Sequence, residues 1–366
     1  MSTQQKKRSL LLLGSIFMII MLVSIPLLGE TATSTMKPMT LKINHALNPA
    51  QSMDGKSVTW FGNEITKRTG GLIKCEHFYS GAMTKVGEEL DAAGKGLVDV
   101  THLVMAYYPS KLFLNSFNYA VPFASDDPLI SQKVVNQLYA EIPEMSQEWE
   151  KFNVVVLSHR CLDSMDLLAR MPIRSVDDFK GKKIAIAGVY APRMISAIGA
   201  TPISMAMGDT LTGLQTGVVD GRMVSRLVMY SFGLHQFAKY GTSTGLGAWY
   251  AVSIVINKDV FAKLPKDIQD TIRQIGKEEQ ENYMNQMVKE RENILKLMEQ
   301  AGVTFSALSA ADLAKWGQAM PDFPGEWVAE GEKRGIPAAK KVMTQYLTLC
   351  EKAGHKFPVK WAAQYR

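Results

Sequence analysis

The acidic and histidine side chains of this sequence are the first candidates for catalysis. Glu88-Glu89 and Asp177-Asp178 are adjacent pairs, and neighbours on a helix or strand do not converge on one point. His159 and Asp163 are close enough in sequence to lie at the same rim of a binding site. A histidine at the end of a strand, however, is more often a structural residue than a general base. The sequence contains no Gly-x-Ser-x-Gly, Walker, dinucleotide-binding or His-Glu-x-x-His motif. We therefore expect a protein that is not an enzyme.

Cysteine and histidine usage gives no metal or disulfide pattern. The sequence has three cysteines, Cys75, Cys161 and Cys350, which lie far apart. An odd number of distant cysteines argues against a disulfide framework. None has metal-ligand spacing, and the six histidines are scattered. We expect no metal and no cofactor.

Residues 179–232 form the predicted α/β unit around which the other candidates are arranged. A β-branched run at 182–187 predicts a strand. Pro192 is suited to the first turn of a helix, and Gly199 ends that helix. A second short helix is predicted to end at Gly217.

The second half of this unit is similar in sequence to an earlier segment of the chain. GEELDAAGKGLVDV at 87–100 aligns without a gap with GDTLTGLQTGVVDG at 208–221. The repeat predicts two lobes of like construction. The alternative is that Gly-x-Val-Asp is only a common way for a helix to stop before a strand.

The first part of the chain alternates strands and helices. This βαβαβ order predicts a parallel sheet with right-handed crossovers. A single helix is expected over 129–150, a strand at 153–158 that leaves the first lobe, and a returning strand at 245–257. A long amphipathic helix at 266–301 either bends or bridges both lobes. The predicted elements of the first lobe are strands at 40–46, 73–79 and 97–104 and helices at 54–69 and 86–94.

The amino terminus resembles a secretory signal. Lys6, Lys7 and Arg8 precede an uncharged run at 10–28, and small and polar residues follow. An uncleaved anchor is the alternative, because about 20 apolar residues span a bilayer, but Pro26 near the end of the run favours cleavage. We expect a periplasmic protein without a nucleic-acid partner, because removal of the segment lowers the formal charge of +6.

The segments DFKGKKIAI, IGATPISM, LQTGVVDG and YSF resemble the central part of the extracytoplasmic solute-binding proteins of tripartite ATP-independent periplasmic (TRAP) transporters, the DctP-like family. The resemblance extends from about Leu41 to about Tyr346. It implies an α/β, type II periplasmic binding protein-like fold with two lobes, each a mixed sheet flanked by helices, and one long helix spanning both.

The same resemblance implies a function and a domain organisation. The protein is expected to be a monomer that captures a small organic solute between its lobes and delivers it to TRAP membrane subunits. An enzyme on this scaffold and a ligand sensor are the alternatives. The expected domains are a signal peptide at 1–33, lobe I at 38–160 plus about 249–288, and lobe II at 161–248 plus about 289–366.

The sequence departs from the family where the ligand is held. The family carries Lys-Ile-Arg, whose arginine clamps the ligand carboxylate bidentately, whereas this chain has Lys183-Ile184-Ala185. A second family arginine falls at about Ser164, and the family's Gln-Glu-Asn is Arg222-Met223-Val224. We therefore expect a bulky, aromatic or hydrophobic acid rather than a C4-dicarboxylate. An uncharged or amine solute is the alternative, with Asp163 receiving the amine.

The remaining candidates lie at predicted strand ends, where ligands bind in open α/β sheets. Tyr107-Tyr108 follows the third strand, and only one of Trp249 and Tyr250 faces the cleft because strand side chains alternate. The predicted ligand-binding residues are His45, Tyr107, Tyr108, Arg160, Asp163, Ala185, Tyr190, Arg222, Val224, Trp249 and Tyr250.

Overall fold

The computed structural model describes residues 36–46, 50–359 and 361. The predicted signal segment lies outside these residues. Among the helices that are described, none is long and apolar enough to cross a membrane.

Ten strands are present in this described part of the chain. They are β1 (Met39–His45), β2 (Ile73–Tyr79), β3 (Val100–Val104), β4 (Val154–Ala169), β5 (Lys183–Ala185), β6 (Thr201–Ile203), β7 (Gly221–Ser225), β8 (Tyr240–Ser243), β9 (Ala248–Asn257) and β10 (Thr304–Ala307).

Twelve α-helices accompany these strands over the same described residues. They are α1 (Met53–Arg68), α2 (Glu89–Gly94), α3 (Pro128–Glu141), α4 (Pro143–Glu150), α5 (Tyr190–Ser196), α6 (Thr210–Thr216), α7 (Arg226–Ser231), α8 (Lys258–Ala262), α9 (Lys266–Gln300), α10 (Ala310–Ala319), α11 (Phe323–Lys333) and α12 (Ala338–Lys352).

The strands form a mixed sheet in the order β2-β1-β3-β9-β4-β7-β5-β6, with β8 on β4 and β10 on β8. The pairs β1–β2 and β1–β3 are parallel, as the βαβαβ order predicts. Strand β9 pairs antiparallel with β3 and β4. The chain is therefore an α/β protein of two lobes, each built on a mixed sheet.

Strand β4 changes its pairing partner along its length. Its first part, from Val154, pairs with β9, and its last part, Met165 to Ala169, pairs with β7. The β4–β9 register shifts on both sides of Cys161. A bulge of this kind bends a strand and raises its twist, so β4 changes direction between the lobes. Strand β4 extends well beyond the predicted 153–158.

The repeated Gly-x-Val-Asp motif has the same role twice. The Asp99 N–H donates to the Lys42 carbonyl at 3.0 Å, and the Asp99 carboxylate accepts the Lys42 N–H at 2.7 Å. Asp220 does the same with Lys183, whose N–H lies 2.8 Å from the carboxylate. Each aspartate thus joins its own strand to the neighbouring parallel strand. The motif marks equivalent points of the two lobes and is more than a helix stop.

Helix α9 spans both lobes as one continuous element. It packs on α1 and the first part of β4 and also on α7. Gly276 permits the close approach, because a Cβ there would lie 2.1 Å from the Leu157 carbonyl oxygen. The predicted apolar positions of this helix, from Ile268 to Met298, are buried.

The prediction of one helix over 129–150 is wrong. Two helices, α3 and α4, meet at Ile142-Pro143. Proline has no N–H to donate and disfavours helical backbone in the residue before it, and Ile142 is accordingly non-helical, with φ −128° and ψ 86°.

Candidate ligand-binding site

A cavity of about 110 Å³ lies beside the middle of β4 and the first half of β9. Its walls come from the end of β3 and the segment after it, from the middle of β4, and from β7 and β9. The lining consists of Asp54, His102, Val104, Ala106, Tyr107, Tyr119, Leu162, Met165, Ala187, Met207, Arg222, Met223, Val224, Val228, Trp249, Ala251 and Val252. Most of these side chains are apolar, which is the usual lining of a site for a small organic molecule.

Arg222 is the main cationic group of this cavity. It is 3% exposed, and its Nη1 donates to the Met205 carbonyl at 2.9 Å and the Thr210 hydroxyl at 3.3 Å. Burial lowers the pKa of the guanidinium from its ordinary value, while the nearby Tyr107 phenol acts to raise it. Among the described residues no carboxylate forms an ion pair with Arg222, and its Nε has no acceptor. The arrangement is that of a buried cation ready to receive an anion.

Arg222 lies next to Ala185 in the sheet. β5 and β7 are parallel neighbours, and Ala185 is the register partner of Arg222. Register partners in adjacent strands point to the same face of the sheet. A guanidinium from β7 therefore emerges beside the short side chain of Ala185 on β5.

Aromatic side chains form the walls next to Arg222. Trp249 is buried, donates its indole N–H to the Leu246 carbonyl at 3.2 Å, and packs edge-to-face with Tyr119 at 5.3 Å between ring centroids. Tyr107 is half-buried, and burial raises the pKa of its phenol. All three rings line the cavity, so an aromatic or apolar solute body would find flat apolar surfaces beside the cation.

The cavity lining also contains an acid, Asp54, whose charge is compensated. Asp54 lies in the first turn of α1, where the helix dipole favours a carboxylate. The Nη2 of Arg160 donates to its Oδ1 at 3.0 Å, and the Nε2 of His102 lies 3.4 Å from the same oxygen. Burial acts to raise the pKa of Asp54, but His102 and Arg160 outweigh it and hold the pKa well below its ordinary value.

Residues 43–326 match the model of bacterial extracellular solute-binding protein family 7, DctP. The chain belongs to the DctP family. Its members are extracytoplasmic proteins that bind small organic solutes and work with membrane permease components.

Named relatives extend over most of the chain. The C4-dicarboxylate-binding periplasmic protein DctP of Rhodobacter capsulatus is 26% identical over 321 residues, covering 87% of this chain and 92% of that protein. A TRAP solute-binding protein of Bordetella bronchiseptica with bound (R)- and (S)-mandelate has a TM-score of 0.75 at 24% identity, covering 86% and 100% of the two chains. A marine metagenome TRAP protein specific for aromatic acids, in complex with 3-hydroxybenzoate, has a TM-score of 0.75 at 22% identity, covering 86% and 99%.

Four of the eleven residues predicted for the DctP-type site line the cavity. They are Tyr107, Arg222, Val224 and Trp249. Of the neighbours Trp249 and Tyr250, only Trp249 does so, because the Tyr250 hydroxyl lies on the other side of β9, 2.7 Å from that of Tyr139. Burial raises the pKa of Tyr250 well above its ordinary value.

Two predicted charged residues, Arg160 and Asp163, do not line the cavity and already have ionic partners. Arg160 is buried, with Asp54 at 3.0 Å and Glu279 at 3.1 Å, and it lies over the Tyr283 ring. Asp163 is buried beside Arg291, whose Nε is 3.3 Å away. Neither charge is available to a solute in this arrangement.

The other predicted residues also lie away from the cavity lining. Tyr108 donates its hydroxyl to Glu89 in the core of the first lobe. His45 is stacked on its register partner His102, with ring centroids 4.0 Å apart. Ala185 is buried beside Arg222, and Tyr190 lines a neighbouring cavity.

The polar and aromatic lining residues that sequence reasoning missed are Asp54, His102 and Tyr119. Asp54 carried a signal, because an acid in the first turn of a helix that follows a strand lies at the carboxyl edge of a sheet. His102 is on a predicted strand two residues before its end. Tyr119 lies in a 3₁₀ segment, Leu114–Ala120, and no periodic pattern distinguishes it.

Proposed function

We propose that this protein captures a bulky, partly apolar organic acid, aromatic or hydrophobic, in the cleft and delivers it to the membrane subunits of a TRAP transporter. The observation that carries the proposal is Arg222, a buried guanidinium without an acidic partner among the described residues, in a cavity with aromatic walls. A carboxylate would supply the missing charge, and Arg222 still has N–H groups to donate to both of its oxygens.

A short C4-dicarboxylate suits this cavity less well. One carboxylate would meet Arg222, but the second would face apolar side chains or the carboxylate of Asp54. Burial of a charge without a partner costs several kcal/mol. The related protein named as C4-dicarboxylate-binding therefore does not decide the solute of this chain.

The alternatives have less support. An amine would need an acid with spare charge, yet Asp54 is paired with Arg160 and Asp163 with Arg291. The acid and the histidine that line the cavity, Asp54 and His102, are paired with each other, and Asp54 is also paired with Arg160. The relatives named above are solute-binding proteins, which does not favour an enzyme. We further propose a monomer that a signal peptide directs to the periplasm.

A ligand screen tests the proposal. Thermal unfolding is measured with mandelate, 3-hydroxybenzoate, phenylacetate, succinate, malate and an aromatic amine, and calorimetry gives the dissociation constant of each compound that shifts the midpoint. At about 100 times its dissociation constant, a ligand adds about 2.7 kcal/mol of stability. We expect aromatic acids to bind and to be recovered unaltered. Tight binding of succinate or malate, preference for the amine, or turnover of the ligand would contradict the proposal.

The cleft between the lobes is proposed to close on the solute by a hinge motion. We assign lobe I to 38–160 plus about 249–288, and lobe II to 161–248 plus about 289–366. The change of partner along β4 supports a hinge near Cys161. Small-angle scattering with and without the tightest ligand should give a smaller radius of gyration for the complex. An unchanged radius in a free protein that is demonstrably open would exclude closure.

A further inference from the structure

A second cavity lies next to the one that contains Arg222. Its volume is about 290 Å³. It is bounded by the segment that follows β3, by residues 188–190 at the start of α5, and by Trp327 of α11 together with Arg334, which directly follows that helix. Three parts of the chain that are distant in sequence thus meet around this space.

The two cavities share part of their walls. Ala106 and Tyr119 line both. Alanine is small, and Tyr119 packs edge-to-face with Trp249 in the first cavity. The two spaces therefore adjoin at Ala106 and Tyr119.

Trp327 is one of the residues that line the second cavity. The side chain is 1% exposed and stacks on Phe113 at 4.7 Å with an interplanar angle of 5°. Its indole N–H has no acceptor among the described residues. Buried donors are nearly always paired, because an unpaired one is unfavourable.

The charged residues of the second cavity are already neutralised. The Nε of Arg334 lies 2.7 Å from a carboxylate oxygen of Glu330, and its Nη1 donates to the Ser110 carbonyl at 3.3 Å. Neither residue offers an uncompensated charge to a solute.

We propose that the second cavity is the distal subsite of the ligand site and that the solute is an elongated monocarboxylic acid. Its carboxylate binds Arg222, its apolar body lies along Tyr119, and a neutral acceptor oxygen at its far end, such as a carbonyl, receives the Trp327 N–H. This inference rests on the proposed function, because it takes Arg222 as the carboxylate site. A second carboxylate does not fit the far end of the site, because Arg334 is already paired with the carboxylate of Glu330.

Three phenylacetates with one head group and different tails test the inference by calorimetry. Phenylacetate has no tail, 4-acetamidophenylacetate carries a carbonyl acceptor, and 4-(2-methylpropyl)phenylacetate is an apolar compound of similar length. The acetamido compound should bind at least tenfold more tightly than phenylacetate and more tightly than the apolar compound. The ring-preserving Trp327→Phe substitution should weaken the acetamido compound about tenfold, the effect of one hydrogen bond, and leave phenylacetate unchanged.

A second variant fills the space without disturbing the core. Ser110 is exposed at the wall of the second cavity, so Ser110→Phe should weaken both long compounds and leave phenylacetate unchanged. If all three acids bind through Arg222 but neither tail nor variant changes their affinity, the distal subsite is refuted and the proposed function stands. If no acid binds, or if binding ignores Arg222→Gln, both are refuted.

Discussion

Arg222 and Arg160 are both buried arginines near the cavity, and their substitution by glutamine should have opposite consequences. Arg160 compensates two buried carboxylates, those of Asp54 and Glu279, at 3.0 and 3.1 Å. Arg222 has only a carbonyl and a hydroxyl as acceptors. We therefore expect Arg160→Gln to affect stability and Arg222→Gln to affect binding.

The expected magnitudes follow from these contacts. Removal of one partner of a buried ion pair costs about 3–5 kcal/mol, so Arg160→Gln should lower the melting temperature by about 6–10 °C at about 2 °C per kcal/mol. For Arg222→Gln, the loss of the hydrogen bonds to the Met205 carbonyl and the Thr210 hydroxyl is offset by removal of an uncompensated buried charge. We expect a stability change within about 1.5 kcal/mol.

Binding should show the reverse order. Truncation of one partner of a buried, hydrogen-bonded charge pair costs about 2–5 kcal/mol, so Arg222→Gln should weaken the tightest acid by at least about 30-fold. Urea unfolding of the free protein and calorimetry of the acid measure the two effects separately. A large loss of stability in Arg222→Gln with unchanged affinity would refute the reasoning.

Three further predictions concern packing, pH and the aromatic wall. Gly276→Ala should destabilise the protein by about 1–3 kcal/mol in urea unfolding, because the new methyl group meets the Leu157 carbonyl. Gly208→Ala, with open space around it, is the control and should change stability by less than about 1 kcal/mol. Equal effects of the two substitutions would contradict the close packing of α9 on β4. Burial lowers the pKa of His159 to about 4. Between about pH 6.5 and pH 4 this histidine is therefore protonated in the unfolded chain but neutral in the folded protein, and the free energy of unfolding should fall as the pH falls through that range. His159→Gln should flatten that part of the stability curve, and a slope identical to that of the parent protein would show that His159 is not the group responsible. Trp249→Leu should weaken an aromatic acid about tenfold in calorimetry, because it removes a flat apolar wall, and unchanged affinity would place the ring elsewhere.

Much of the fold was predictable because it depends on local patterns. Apolar residues three or four apart define α9 over almost its full length. The repeated Gly-x-Val-Asp located equivalent aspartates, Asp99 and Asp220, in the two lobes. Pro143 also carried the signal that ends a helix, and the prediction of one continuous helix overlooked it.

The candidate site was less predictable because its parts come from distant elements. Asp54, Arg160 and Glu279 lie on α1, β4 and α9, and their ion pairs depend on how those elements pack, which no spacing in the sequence expresses. For this reason the sequence offered Arg160 and Arg222 as equal candidates. The alternation of side chains on β9 predicted that one of Trp249 and Tyr250 faces the cleft, but only packing decides which one.

A crystal structure of the protein with the acid that binds most tightly tests the central claim most directly. We predict that both carboxylate oxygens lie within about 3 Å of the Arg222 guanidinium nitrogens, beside Ala185 and against the Trp249 ring, with the Arg160–Asp54 pair intact. A carboxylate held by Arg160, or one that leaves Arg222 without an anionic partner, would contradict the account.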